Sequence, residues 1–585
     1  MRTASMVATV TRSAVARVGW VVRALGWVPM VGWVRGYRRG WLRGDVLAGV
    51  TVAAYLVPQV MAYAGVAGLT PVAGLWAALP ALALYAVFGS SRQLSVGPES
   101  TTALMTAAAV GPLAAGDPAR YAALAAELAL VVGLLALAAR VARLGFVADL
   151  LSQPILVGYL AGVAVIMIVG QLGKTTGVPV TGANMYGELA SFARHVGAAQ
   201  MGTVVLAVTA LVFLFLLRWR WPGGPAPLLA VVLATVAVAV FDLDAHGIAV
   251  VGDVPGGLPR PTPPAAADLA RLVIPAFGVL FVGYTDNMLT ARAFASRAGH
   301  GEIDANGELL GLGAANLGTG LLSGFPVSSS GSRTALGAAA GSRSQLHSLV
   351  AVGAVVGVLL FLRPALATFP TAVLGAIVIY AAVQLVDVAG FRRLARFRRS
   401  ELLLALAALA GVLAFNILYG ILIAVALSLA DLLARVARPH DAILARVPEV
   451  DGMHDIDDYP DAELIAGLVV YRYDSPIFFA NAQNFRRRAL AAVDAMTRQG
   501  PVEWFVLNME ANTEVDITGL DALEDLRVEL TGRGIVVALA RVKQELLDAL
   551  VAHGVAGRIG TDLIFPTLPT AVAAYEEAVG RSADR

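Results

Sequence analysis

Cysteine is absent. That removes disulfide frameworks, thiolate metal sites and cysteine nucleophiles together, and leaves the redox compartment unread. Charge is scarce: 14% of the 585 residues are Asp, Glu, Lys or Arg, against about 25% in a soluble domain. Lys174 and Lys543 are the only lysines, a bias that genomic base composition explains without any function. With a net charge of only +2, nothing argues for nucleic acid as a partner. No loop of P-loop spacing occurs, which argues against an ATP-driven pump.

What the chain has is apolar surface: 58% of its residues are hydrophobic and its mean hydropathy is +0.74. A helix needs about 20 apolar residues to cross the hydrocarbon core. Such segments recur at 46–65, 71–88, 98–114, 120–139, 147–171, 201–217 and 225–241, then at 270–291, 306–322, 328–340, 345–362, 370–386, 401–416 and 418–436. The reading is a polytopic α-helical membrane protein of 14 spans in two sets of seven. Arg92, Arg140, Arg143, Arg218, Arg220, Arg292, Arg297, Arg343 and the cluster from Arg392 to Arg399 fall in one set of loops. Fewer cations, Arg120, Lys174, Arg194, Arg260 and Arg363, fall in the other. Retention of positive charge inside places both termini in the cytoplasm of a multi-pass inner-membrane protein. Loops 172–200 and 242–269 are then external. Residues 1–44 carry eight arginines and no acid, interleaved with Trp20, Trp27, Trp33 and Trp41. They read as an interfacial cytoplasmic segment rather than a cleavable signal.

Two short spans open with polar runs containing Gly and Pro. One is Ser95-Val96-Gly97-Pro98-Glu99-Ser100-Thr101-Thr102; the other runs from Ser323 through Pro326, Ser328, Ser329, Ser330, Gly331, Ser332 and Arg333 to Thr334. Each is the third span of its set. Paired broken segments point to a transporter's central site, because irregular backbone at membrane depth must line a cavity or be buried in protein. A half-helix starting there has free N–H groups and a positive dipole end. Two such ends make an anion cradle, and Ser100, Thr101, Ser329, Ser330 and Ser332 add hydroxyl donors. The plainer alternative is a pair of Pro-kinked spans packed through small residues.

Ionisable groups within spans are functional candidates by default. Arg333 can neutralise a divalent anion or pair with an acid. Glu99 opens the first half-helix, where it is a candidate both for binding the anion and for carrying the coupling ion. Asp286 shares a helix face with Thr290, where it can hold Na⁺ through oxygen ligands or carry a proton. Glu127 is the fourth candidate. For each acid a structural ion pair is the competing reading.

Ala48-Gly49-Val50-Thr51, the run Pro58-Gln59-Val60-Met61-Ala62-Tyr63-Ala64, and Gly68-Leu69-Thr70-Pro71 resemble the first-span signatures of the SulP family. Gly89-Ser90-Ser91-Arg92-Gln93-Leu94-Ser95-Val96-Gly97-Pro98, Asn306-Gly307-Glu308-Leu309, and Gly324-Phe325-Pro326 with Ser332-Arg333-Thr334 resemble its later motifs. The resemblance covers residues 40–580 and is nearest to bacterial sulfate permeases. It implies a 7+7 inverted repeat, with spans 1–4 and 8–11 as core and spans 5–7 and 12–14 as gate. It implies a homodimer, an anion between the third and tenth half-helices, and Gln59 facing that anion. Asp286 and Thr290 fall where the family's Na⁺-coupled bicarbonate carriers place cation ligands. Glu99 departs from animal members, which carry an aromatic residue there, and the departure favours ion-coupled transport.

Beyond Arg438-Pro439 the composition changes. The expected division is 1–44 as N-terminal segment, 45–437 as transporter domain, 438–462 as linker and 463–580 as a small cytoplasmic α/β domain. Strand-like Leu464–Tyr473, Trp504–Met509 and Ile535–Ala540 alternate with helical 482–497 and 543–553. This order resembles STAS domains, in whose soluble relatives the Thr518 position is phosphorylated; an ordinary helix N-cap is the alternative. Together these point to a secondary active transporter of small inorganic anions. Sulfate uptake coupled to H⁺ or Na⁺ leads, with Na⁺–bicarbonate symport and dicarboxylate carriage open. A membrane-anchored STAS signalling protein is the reading from another class. No triad, metal cluster or cofactor fingerprint suggests an enzyme, and no cofactor is expected beyond the coupling ion.

Overall fold

The structure is a computed structural model. It describes residues 29–583 except 151, 183, 222–223, 253–256, 260, 262–267, 299–301 and 416. Two compact units divide the chain, residues 1–428 and 429–585. Residues 1–28 of the expected basic segment, with Trp20 and Trp27, lie outside the described residues, as does Arg260. Trp33 departs from an interfacial role: it is buried, and its Nε1 donates to the Ala86 carbonyl at 3.1 Å.

A helix occupies each of the fourteen expected segments. They are α1 (Leu42–Val66), α2 (Pro71–Phe88), α3 (Ser100–Ala114), α4 (Pro118–Val141), α5 (Gln153–Val169), α6 (Met201–Arg220) and α7 (Ala226–Val240). The second set is α8 (Leu269–Ala298), α9 (Ala305–Leu321), α10 (Gly331–Ala339), α11 (Leu346–Phe361), α12 (Thr371–Leu385), α13 (Arg399–Phe415) and α14 (Ile417–Ala437). Among the described residues, six helical stretches are long and apolar enough to cross a membrane, and α5, α7 and α11 are shorter apolar helices. The expected spans 98–114 and 328–340 are each a two-residue strand followed by a half-helix: β1 (Val96–Gly97) before α3, and β2 (Ser328–Ser329) before α10.

Lipid exposure is legible on α6. Its buried residues are Thr203, Ala207, Ala210 and Leu214, a stripe at helical spacing. Val205, Val208, Val212 and Leu216 on the other faces are exposed, as a helix in hydrocarbon requires. Packing sorts the helices into two groups. In the first, α9 packs on α2 and α4, α8 on α4, and α11 and α10 on α1; in the second, α13 packs on α5 and α12 on α5 and α6. The groups meet along α1, which α7 and α12 touch. Glycine permits the closest crossings: a Cβ at Gly158 on α5 would run into the Ala405 carbonyl of α13.

The second unit holds a six-stranded sheet of order β4-β3-β5-β6-β7-β8. Its strands are β3 (Asp441–Val447), β4 (Val450–Asp455), β5 (Leu468–Tyr473), β6 (Trp504–Asn508), β7 (Val536–Ala540) and β8 (Ile564–Phe565). Strands β5 to β8 are parallel, and β3 is antiparallel to both its neighbours. The crossover helices are α15 (Ala482–Thr497) between β5 and β6, and α16 (Ile517–Gly532) between β6 and β7; α17 (Gln544–Ala552), α18 (Val555–Ile559) and α19 (Leu568–Ala583) follow. Alternation along the strands feeds two cores. Val469, Tyr471, Phe505 and Leu507 face one, with Leu523 and Leu526 of α16. Leu468, Val470 and Val506 face the other, with Val572 and Tyr575 of α19.

The linker expected over 438–462 is not one. β3 and β4 lie within it and extend the sheet. The acidic, turn-rich stretch from Asp451 masked the strand pattern just before it, where Ala442, Leu444 and Ala445 are buried. The cap of α16 also differs from the expected Thr518. The Asp516 side chain caps it, accepting from Gly519 N at 2.8 Å and from Phe479 N at 2.8 Å. Thr518 is the second residue of the helix and is exposed.

Candidate functional site

The site begins with backbone. β1 and β2 pair antiparallel, Val96 opposite Ser329 and Gly97 opposite Ser328. Because the strands run oppositely, the half-helices that follow them leave in opposite directions, and their N-termini meet at the strand pair. The first intrahelical bonds are Ala103 N to Glu99 O and Thr334 N to Ser330 O, both 2.9 Å. The N–H groups of Ser100, Thr101 and Thr102, and of Gly331, Ser332 and Arg333, therefore lack helical acceptors. Neither cap residue, Glu99 or Ser330, caps with its side chain. One backbone bond and one side-chain bond pin the crossing: Ser330 N donates to Ser95 O at 2.9 Å, and Ser95 N to Thr334 Oγ1 at 3.0 Å.

These N-termini open on a cavity of about 1030 Å³, lined by Gln59, Glu99, Ser100, Thr101 and Thr102, by Asp286, and by Ser328 to Ser332. It extends to Tyr55 and Tyr63 of α1, Tyr380 and Gln384 of α12, and Arg218, Trp219 and Trp221 at the end of α6. Trp219 is 81% exposed, so the cavity reaches the surface at this end. Arg218 is the one cation lining it among the described residues, and its guanidinium donates to Gln384 Oε1.

Arg333 is fully buried and stands behind the lining rather than in it. Its Nη1 donates to Gln59 Oε1 at 3.1 Å and to the Pro98 carbonyl at 2.9 Å, and lies 3.8 Å from Glu99 Oε2. Among the described residues its Nε and Nη2 have no hydrogen-bond partner, and neither does Glu99 Oε2. Glu99 Oε1 accepts from Ser100 Oγ at 3.0 Å. Gln59 turns its amide nitrogen to Tyr63 Oη at 3.0 Å. Ser330 and Ser332 hydroxyls lie 3.2 Å apart. Chemically this is an array of oriented N–H and O–H donors backed by one buried cation, a setting for an oxyanion.

Residues 42–408 match the sulfate permease family, and residues 459–571 match the STAS domain. The chain belongs to the sulfate permease family. It is 59% identical over 553 residues to a protein of Mycobacterium tuberculosis (strain ATCC 25618 / H37Rv) named "Probable sulfate transporter", covering 94% of this chain and 98% of that one. It is 33% identical over 571 residues to "Probable sulfate transporter 4.2" of Arabidopsis thaliana, covering 94% and 84%. The murine Slc26a9 anion transporter, solved in an inward-facing state, shares the fold with a TM-score of 0.87 at 23% identity, over 95% of each chain.

In this permease the expected residues divide. Gln59, Glu99, Ser100, Thr101, Ser329, Ser330 and Ser332 line one cavity, and Asp286 lines it too, accepting from Ser329 Oγ at 3.0 Å. Thr290, the expected partner of Asp286 in a Na⁺ site, is not in the lining, and no group of three His, Asp or Glu placed to hold a metal ion exists among the described residues. Glu127 is buried in α4, away from the lining. Sequence reasoning missed Tyr55, Arg218 and Gln384, which reach the cavity from helices far apart in the chain. It also passed over Glu308, fully buried within one of the motifs. The Glu308 carboxylate accepts from Tyr85 Oη at 2.8 Å, Ser90 Oγ at 2.6 Å, Ser90 N and Ser91 N at 3.0 Å, and Asn287 Nδ2 at 2.5 Å. It ties α2, the loop approaching α3, and α8 to α9. An acid within a span is the signal that would have found it.

Proposed function

We propose that this permease is a secondary active transporter that takes up sulfate with H⁺ or Na⁺, and that the anion sits between the N-termini of α3 and α10. The observation that carries this is the pair of uncapped N-termini opening on one cavity, with the Arg333 guanidinium behind them. Backbone donors and a dipole end hold an anion without needing a full charge in contact with it. Relatives at 59% and 33% identity are named sulfate transporters, which supports sulfate over bicarbonate or a dicarboxylate. Coupling belongs to Asp286, the acid that lines the cavity from α8: a proton or cation there brings positive charge beside the arriving anion and links the two binding events. The arginine-rich loops support an inner-membrane protein with both termini cytoplasmic, so that Trp219 and Trp221 mark the cytoplasmic mouth. Thr518, exposed on the STAS domain, is kept as a regulatory phosphorylation site.

The test is uptake of radiolabelled sulfate into proteoliposomes under imposed Na⁺ or H⁺ gradients. Accumulation under one gradient and not the other identifies the coupling ion. Bicarbonate accumulation without sulfate accumulation would move the substrate.

A further inference from the structure

We infer that the Glu99 carboxylate is a tethered competitor of the transported anion: it occupies part of the cradle in the empty site and must be neutralised or swung aside before an anion binds. This deepens the transport reading above and rests on it. It reverses the role expected of Glu99 as a ligand of the anion.

Three observations converge. First, Glu99 is the N-cap residue of α3, yet its side chain does not cap the helix; it lines the cavity. Second, its oxygens sit where an anion's would. Oε1 takes the Ser100 hydroxyl at 3.0 Å, and Oε2 lies 3.8 Å from Arg333 Nη1 with no hydrogen bond of its own. Third, Arg333 is fully buried with Nε and Nη2 unpartnered, while Nη1 is spent on Gln59 and Pro98. A guanidinium with free donors beside a carboxylate beyond hydrogen-bond reach is a loose pair. It balances charge without filling the donors that would make it permanent.

Charge decides the direction of the effect. The groups that face Glu99 around the cavity are Arg333 on α10, Asp286 on α8, Tyr55 and Tyr63 on α1, Tyr380 on α12 and Arg218 on α6. A divalent anion entering beside an ionised Glu99 meets a like charge in a partly buried site, where repulsion is stronger than in water. A protonated Glu99 removes that repulsion, frees the Ser100 hydroxyl and the Arg333 charge for the anion, and can itself donate a hydrogen bond. Anion affinity therefore rises as pH falls; at the limit where the anion binds only beside a protonated Glu99, each pH unit in the ionised range changes the Kd by about tenfold.

The experiment is a sulfate titration of the full chain in nanodiscs at several pH values between 5 and 8, on wild type, Glu99→Gln and Glu99→Ala. Sulfate remains divalent throughout, so the slope reports the protein. Wild type is expected to weaken with rising pH; both variants are expected to bind at high pH at least tenfold tighter than wild type, with the slope lost. A folded variant, judged by an unchanged thermal melt, that binds more weakly than wild type at every pH shows Glu99 to be a ligand and overturns the inference. Wild-type slope retained in both variants overturns it as well. If one variant fails to fold, the other decides. If wild type binds no sulfate at any pH, the substrate assignment fails; the same titration with chloride, which does not titrate either, then decides whether Glu99 competes with the anion.

Discussion

Asp286 Oδ2 accepts a hydrogen bond from Ser329 Oγ at 3.0 Å, joining the middle of α8 to the strand that leads into α10. One residue further on, Asn287 turns the other way and donates to Glu308. The two neighbours thus fix the rotation of α8: Asn287 anchors it to α9, and Asp286 is presented to the cavity. A carboxylate in this setting is costly to leave bare and takes up a proton or a cation.

Asp286→Asn mimics the protonated acid and cannot cycle. It should retain sulfate binding and lose gradient-driven accumulation, with a coupling free energy of about 1–3 kcal/mol removed. Binding and accumulation measured on the same preparation check this. If Asp286→Asn still concentrates sulfate while Glu99→Gln does not, the coupling role passes to Glu99.

Arg333→Ala removes the buried cation behind the cradle. Its charge acts on the anion from behind the lining rather than through a hydrogen bond, so sulfate binding should weaken by about tenfold, roughly 1.4 kcal/mol. Arg333→Lys restores charge without the planar fork and should recover part of the loss. Isothermal titration of the folded variants reads both. Wild-type affinity in Arg333→Ala would remove Arg333 from the site.

Glu308→Ala leaves the Tyr85 hydroxyl, the Asn287 amide and the Ser90 and Ser91 N–H groups without their acceptor. Each buried unsatisfied donor costs about 1–3 kcal/mol, so the variant should be destabilised by about 3 kcal/mol or more. Thermal unfolding in detergent measures this, and a wild-type midpoint would show that the hub contributes little.

A homodimer is expected of the chain, with the STAS domain and α14 contributing contacts. Light scattering in detergent and cross-linking after lipid reconstitution test it. A protein monomeric in both would count against the assembly.

Much of this protein is written in one dimension. Spans announce themselves because hydrocarbon demands about 20 apolar residues and forbids unpaired backbone, which is why helices occupy all fourteen expected segments. The broken segments at 95–102 and 323–334 were legible for the same reason, since Gly, Pro and Ser at membrane depth have few other uses. The α/β order of the second unit followed from period-2 strands alternating with helical stretches. Reading failed where local composition and partnership diverge. Strand β3 was hidden beside an acidic stretch because pairing, not composition, makes it part of a sheet. Trp33 looked interfacial because an indole near arginines usually is, but its N–H finds the Ala86 carbonyl across 53 positions.

The sequence alone determined that the chain lives in a membrane, how its helices are spaced and which polar runs interrupt them, because each follows from the solvent and from periodicity. Only the tertiary structure decided which donors and acids share a cavity. Arg333 stands behind the lining while Glu99 stands in it, Thr290 is left out, and Arg218 is brought in from α6. Those assignments depend on helix rotation and crossing, set by close packing between residues far apart in the chain, and no local pattern encodes them.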